Sequence, residues 1–447
     1  MKKYNSYKDS GVEWIGVIPS HWEIKRIKHT TYVKGRIGWK GLRSDEFKEE
    51  SDSFLLTGTD FKNGRIDWKN CYQIEQERFD EDPFIQLQLN DLLITKDGTI
   101  GKIALIDELP KITTLNSGIF VTRPFKGDYL NSFMYWVLTS EIFSSFINYH
   151  KSGSTILHLY QNVFEEFGYP IPPISEQQQI VSYLDRKTQK IDSLIQIKEE
   201  QIKLLKEKRT ALINRAVTKG LDPNVEMKDS GVEWIGEVPR HWAVKQLKYI
   251  FSLCKGLTIT KENLRESGIY CVNYGEIHSK YGFEVDTNVH PLKYVEEDYL
   301  ITNPGSLINQ GDFVFADTSE DIEGSGNFTY LKSVNPIFAG YHTVIARPIV
   351  NVNSRYFAYE FDSNAFRNQI RTKVKGVKVY SITQTILREP FLWVPPIVEQ
   401  QQIVAYLDHQ TNEIDSLISL EQERIGLLKE LRQSMISEVV TGKRCVI

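Results

Sequence analysis

Two long stretches of this chain share one rhythm of apolar and polar positions. From Glu176 to Lys219 no proline or glycine interrupts, and Ile191, Ile195, Ile202, Leu205 and Leu212 recur at alternating steps of four and three once Lys198 and Arg209 are included. Ile414, Ile418, Ile425, Leu428 and Met435, with Glu421 and Arg432, repeat the same series. That period is the seam of a coiled coil. It predicts two helices, Glu176–Thr218 and Glu399–Thr441, each about 65 Å long at 1.5 Å per residue and each in need of a partner. Pro172-Pro173 and Pro395-Pro396 mark the starts. Ser175, with Gln178 three residues on, suits a capping box; in the second stretch Val398 takes the place of the serine, so that cap is absent there.

Between these helices the pattern shifts to short β-rich runs separated by turns. "DLLITKDGTIGKIALID" (Asp91–Asp107) reads as two β-rich runs around a glycine-containing turn, and "GDFVFAD" (Gly311–Asp317) stands at the corresponding place. "NSFMYWVLTSEIFSSFINY" (Asn131–Tyr149) and "SRYFAYEFDSNAFRNQI" (Ser354–Ile370) each read as a helix. Each intervening region is therefore an α+β domain with more strand than helix.

The order of these elements comes from an internal repeat. "YKDSGVEWIGVIPSHWEIKRIK" (Tyr7–Lys28) aligns with "MKDSGVEWIGEVPRHWAVKQLK" (Met227–Lys248) at an offset of 220. "PPISEQQQIVSYLDRKTQKIDSLI" (Pro172–Ile195) aligns with "PPIVEQQQIVAYLDHQTNEIDSLI" (Pro395–Ile418) at an offset of 223. The regions they enclose, Thr30–Tyr169 and Tyr249–Leu392, look largely unrelated. The expected division is a globular domain at 1–174, a helix at 175–220, a second globular domain at 221–397 and a second helix at 398–447, a tandem duplication rather than a solenoid.

Composition adds mainly exclusions. A net charge of −4 gives no overall basic field. Residues 29–170 hold 15 Lys and Arg against 20 Asp and Glu, and residues 249–390 hold 14 against 16, so any nucleic-acid face is a local patch on an acidic domain. Cys71, Cys254, Cys271 and Cys445 are scattered, which suggests neither a zinc site nor a disulfide framework. The N-terminal "MKKYNSYKDSG" has no apolar signal core, and no run approaches the ~18 apolar residues of a membrane span. A reducing cytoplasm is the expected location.

Catalytic patterns fail on inspection. "DGTIGK" (Asp97–Lys102) lacks P-loop spacing: Lys96 replaces the first glycine, and Ile103 replaces the Mg²⁺-binding hydroxyl. A β-turn is the better reading. The acidic "ADTSEDIEG" (Ala316–Gly324) fits no calcium loop and reads as a solvated loop. His21 and His241, each preceding a tryptophan in the repeat, suggest packing in a duplicated corner. The expectation is no catalytic residue and no metal site.

Nucleic-acid signals are confined to loops. "IRTKVKGVKVYSIT" (Ile370–Thr383) offers Arg371, Lys373, Lys375 and Lys378 around Gly376. The corresponding "INYHKSGSTILHLY" (Ile147–Tyr160) offers Lys151, Ser154 and Thr155 around Gly153. "KGRIGWKGLR" contributes Lys34, Arg36, Lys40 and Arg43, and "TKDGTIGK" contributes Lys96, Thr99 and Lys102. Cations and hydroxyls beside a glycine suit phosphate positioning and groove entry, whereas an ordinary exposed loop would look much the same.

The double order of "GVEWIGEVPRHW" before a variable domain and "PPIVEQQQIVAYLD" leading into a long helix resembles the specificity subunit of type I restriction–modification systems over almost the whole chain. The resemblance implies two target-recognition domains joined by two long helices in an antiparallel, pseudo-two-fold coiled coil. Each domain would read one half of a bipartite site in double-stranded DNA. Two methyltransferase (modification) subunits would dock around the helices, with restriction (translocase) subunits able to join. S-adenosylmethionine, ATP and Mg²⁺ would belong to those partners and none to this chain. A DNA-recognition subunit of a related enzyme outside type I, and a coiled-coil scaffold that binds only protein, remain the alternatives.

Overall fold

The structure is a computed structural model that describes residues 3–36, 42–151, 158–376 and 378–446, without the side chains of Ser44 and Lys151. The chain forms two compact units. The first is Met1–Glu199 together with Gln422–Ile447; the second is Glu200–Glu421.

In the first unit a four-stranded antiparallel sheet runs in the order Ile103–Leu105, Leu92–Thr95, Ile119–Pro124, Thr31–Gly35. A smaller sheet pairs Thr113–Leu115 with Ser53–Leu56 in parallel and Ser53–Leu56 with Tyr72–Ile74 antiparallel. In the second unit Phe251–Lys255, Thr343–Pro348, Phe313–Ala316, Phe328–Leu331 and Phe283–Val285 form the larger sheet. Lys293–Val295, Ile269–Val272, Ile337–Ala339 and Leu307–Ile308 form the smaller one. Leu92–Thr95 and Phe313–Ala316 are buried at every residue, which is why they read as continuous apolar runs rather than as an alternation.

The two central strands are anchored alike. Arg123 donates to both carboxylate oxygens of the buried Asp91 at 2.6 Å, and Arg347 Nε donates to the buried Asp312 at 2.9 Å. The middle regions thus share a frame that their sequences largely conceal.

Each single helix expected after the sheet is two helices. Asn131–Thr139 and Glu141–Lys151 part at Ser140, and Ser354–Asp362 and Asn364–Arg371 part at Ser363. Both serines are extended, and each hydroxyl donates back at 2.6 Å, to the Val137 and Glu360 carbonyls. Ser363 Oγ also accepts from Phe366 N, so the serine caps the helix that follows.

The long helices are Ile174–Lys219 and Ile397–Val440. Ser175 is not a cap. The helix begins one residue earlier, Glu176 and Gln177 both donate to the Pro173 carbonyl, and Ser175 lies exposed in the first turn. Proline suits this position because its fixed φ matches the helix entry and its missing N–H would have had no partner there. The burial of the ten apolar positions in the repeated series is uneven. Ile191, Ile195, Ile202, Ile414, Ile425 and Met435 are at most 9% exposed, and Leu205, Leu212, Ile418 and Leu428 are half-buried.

Each unit closes one corner with both helices. In the first, Trp22 Nε1 donates to Glu176 at 2.9 Å and His21 pairs with the same carboxylate at 2.7 Å. Gly442, just past the second helix, reaches this corner: its φ is +71°, and a Cβ there would stand 2.4 Å from the Pro19 ring. In the second unit Trp242 and His241 bind Glu399 at 3.0 and 2.7 Å. There Gly220, just past the first helix (φ +70°), would place a Cβ 3.4 Å from Trp242. The start of one helix and the end of the other therefore meet at each tryptophan. Farther along, Asp192 pairs with Arg432 in the first unit and Asp415 with Arg209 in the second, so within each unit the two segments run antiparallel. The histidines do pack in a duplicated corner.

Candidate nucleic-acid interface

The central strand of each sheet ends, on the side away from its Asp–Arg anchor, in a junction of three segments. In the first unit Lys96 N donates to the Gly118 carbonyl at 2.8 Å, and the Lys96 carbonyl accepts from Leu159 N at 2.8 Å. In the second, Asp317 N donates to His342 O at 3.0 Å, and Asp317 O accepts from Ile382 N at 2.7 Å. Asp97 bridges His158 and Thr318 pairs with Ser381, extending both junctions by one residue. Two of the sequence-predicted loops thus come together in each unit: "TKDGTIGK" with the segment leaving "KSGST", and "ADTSEDIEG" with the segment leaving "VKGVK".

The individual candidates are placed unevenly. Lys96 is half-buried, with its ammonium 4.9 Å above the Phe120 ring, and burial lowers its pKa. Thr99 is exposed, and Lys102 Nζ donates to the Gly58 carbonyl at 3.4 Å. Lys34 stands 5.7 Å over the Phe84 ring, and Arg43 is exposed. Arg36 lies inside the fold at 1% exposure; it donates to Leu115 O at 2.8 Å and Thr114 Oγ1 at 3.3 Å, and desolvation depresses its pKa. Lys151 ends the helix Glu141–Lys151. Lys40, Ser154 and Thr155 lie outside the described residues.

In the second unit Arg371 donates to the Glu323 carbonyl at 2.6 Å and pairs with its carboxylate at 3.1 Å. Lys373 pairs with Glu389. Lys375 and Lys378 are exposed, with no partner among the described residues. A cleft of about 720 Å³ is lined by Tyr274, His278, Thr318, Asp321, Asn327 and His342, with Val379, the residue after Lys378, at its wall. His278 Nε2 donates to Thr318 O, and its Nδ1 accepts from Asn327 Nδ2, both at 2.8 Å.

Sequence reasoning missed Asp97, His158, Tyr160, Asp317 and His342. Asp97 pairs with His158, whose ring lies 4.4 Å from that of the exposed Tyr160. Asp317 pairs with His342 at 3.1 Å. Asp97 and Asp317 lay within stretches read as a turn and a solvated loop, and His158, Tyr160 and His342 carried no motif; the missing signal was their place at the ends of strands. Among the described residues no group of three or more His, Cys, Asp or Glu could hold a metal, and no helix is long and apolar enough to cross a membrane. Cys71 and Cys271 are buried, and burial pushes the Cys71 thiol up to about 12.

Comparison with known proteins adds a family. The sequence model "Type I restriction modification DNA specificity domain" matches residues 19–204 and again 239–426. The chain is 24% identical over 435 residues to the type I restriction enzyme MjaVIII specificity subunit of Methanocaldococcus jannaschii, covering 95% of this chain and 93% of that protein. It is 22% identical over 441 residues to the EcoKI specificity subunit of Escherichia coli, covering 96% and 90%. Its fold is similar to a chain solved in work on complex assembly and conformational transition of the type I R-M system: TM-score 0.70, 15% identity, 95% and 98% covered. It is also similar to the HsdS subunit from Thermoanaerobacter tengcongensis, with TM-score 0.52, 15% identity, and 96% and 98% covered.

Proposed function

The chain belongs to the type I restriction–modification DNA specificity family and is a two-domain DNA sequence-recognition subunit; from this premise we propose how its parts divide the work. Each α+β domain reads one half of a bipartite, asymmetric site in double-stranded DNA through the loops at the end of its central strand. The single observation that carries this is the contrast within each half. The corner of Trp22, His21 and Glu176 recurs as Trp242, His241 and Glu399, while Lys96, Gly118 and His158 are replaced at the far end of the sheet by Asp317, His342 and Ser381. A duplicated frame with diverged tips can read two different half-sites, whereas two identical tips would read a palindrome.

The helices dock two copies of a modification subunit. Their outer faces support this. Leu194, Ile197 and Leu204 are 47%, 55% and 53% exposed, and their repeat equivalents Leu417, Leu420 and Leu427 are 47%, 40% and 57% exposed. Two matching apolar stripes at three- and seven-residue spacing suit two identical partner helices. Methyl transfer and cleavage, with S-adenosylmethionine, ATP and Mg²⁺, fall to the partner subunits, which work on host DNA in the cytoplasm. The test is to map methylated adenines in host DNA with and without this gene. A bipartite motif that appears only with the gene supports the reading, and identical methylation in both refutes it.

A further inference from the structure

The same backbone frame holds opposite chemistry at its two tips. The residue that leaves the central strand is fixed by one donated and one accepted backbone hydrogen bond in each half, and it is Lys96 in one and Asp317 in the other. A cation and an anion cannot stand in for each other in packing, and both are half-exposed. Their neighbours differ to match. Lys96 extends over Phe120 beside the Asp97–His158 pair. Asp317 Oδ1 lies 3.1 Å from His342 Nδ1, and the His342 ring packs 5.3 Å from Tyr274. His342 has φ +56°, a left-handed conformation that non-glycine residues rarely adopt and that tends to mark functional positions.

These groups differ in what they can read. A lysine donates to the O6 and N7 acceptors of guanine. A carboxylate accepts from the N4 amino group of cytosine. In the tautomer that directs its Nδ1 proton at the Asp317 carboxylate, the His342 ring presents Nε2 as a second acceptor. Adenine shows an acceptor N7 beside its amino group, which sets it against such a pair. The exposed Lys375 and Lys378 on the adjoining loop offset the repulsion between this carboxylate and DNA phosphates.

We infer that Lys96 and Asp317 occupy one specificity-determining position in the two domains: Lys96 contacts the guanine of a G·C pair in one half-site, and Asp317 with His342 contacts the cytosine of a G·C pair in the other. This rests on the DNA-recognition reading of the two tips. The experiment uses the full chain assembled with its modification subunits. Methylated sites are mapped, and duplexes carrying each base pair in turn compete for binding. Asp317→Asn and His342→Gly should relax one base-pair position in one half-site, reducing its preference for G·C by roughly 5- to 150-fold, with the other half unchanged. Lys96→Gln should do the same in the opposite half. Because glycine suits the left-handed backbone at 342, His342→Gly decides the matter if Asp317→Asn fails to fold. The inference is overturned if every positional preference survives, or if affinity falls uniformly for all sequences together with a shallower salt dependence. If the unaltered complex methylates no bipartite site, the DNA-recognition reading fails instead.

Discussion

At the residue scale, two copies of one frame show which side chains the fold requires. Glu360 is wholly buried; one carboxyl oxygen accepts from Trp393 N at 2.9 Å, and the other has no partner among the described residues. Val137 and Pro170 stand at the equivalent places in the first half. Proline has no N–H, so an apolar residue suffices opposite it, whereas the Trp393 N–H needs an acceptor. Burial holds the Glu360 carboxyl well above the usual carboxylate range. The folded state therefore keeps a proton that the unfolded chain releases above its ordinary value near 4.5, and stability falls as pH rises from there towards the folded value. The slope is about 1.4 kcal/mol per pH unit while the difference lasts. Glu360→Gln keeps an acceptor for Trp393 N but carries no proton equilibrium. Urea unfolding at pH 6 and pH 8 should show the variant gaining on the parent at the higher pH; Glu360→Val should instead cost about 1–3 kcal/mol through the orphaned N–H. A parent with no pH trend over this range would contradict the assignment. Glu176→Ala, which leaves the buried Trp22 indole N–H unpaired, should also destabilise by about 1–3 kcal/mol in thermal unfolding, and a neutral result would reduce that corner to simple contact.

At the element scale, the long helices were the most legible part of the sequence. A seam repeated at one offset specifies both the helices and the buried stripe, and Ile195 and Ile414 are buried as that period requires. The short elements were less legible because single serines decide them. Ser140 and Ser363 divide what an apolar period reads as one helix, and the period does not register a hydroxyl that turns back on the preceding carbonyl. The Asp91–Arg123 and Asp312–Arg347 anchors escaped notice because each joins residues more than thirty positions apart. The two faces of one helix should separate stability from assembly. Ile195→Ala, in the seam, should cost about 2–4 kcal/mol in urea unfolding. Ile197→Ala, 55% exposed, should leave stability within about 0.5 kcal/mol yet weaken binding of a modification subunit in calorimetric titration. Equal effects of both on stability, or of neither on binding, would count against a docking role for the outer face.

At the scale of the whole molecule, duplication explains how one chain carries both shared and private parts. Each unit uses the start of one long helix and the end of the other, so both halves of the chain depend on the same framework residues. Family membership could be read from these repeated blocks, because each is fixed by several mutually dependent contacts. Of the residues proposed to read bases, Lys96 stood out as a cation in a glycine-containing turn, whereas Asp317 and His342 could not be read, because they acquire meaning only through the junction that brings three distant segments together. The central claim is that recognition is divided between the regions Thr30–Tyr169 and Tyr249–Leu392. The most direct measurement is to replace Thr30–Tyr169 with the corresponding region of a relative of different specificity, assemble the chain with its modification subunits, and sequence the methylated positions in host DNA. The account predicts that one half of the bipartite motif becomes the relative's while the other half and the spacing stay unchanged; both halves changing together, or neither, would contradict it.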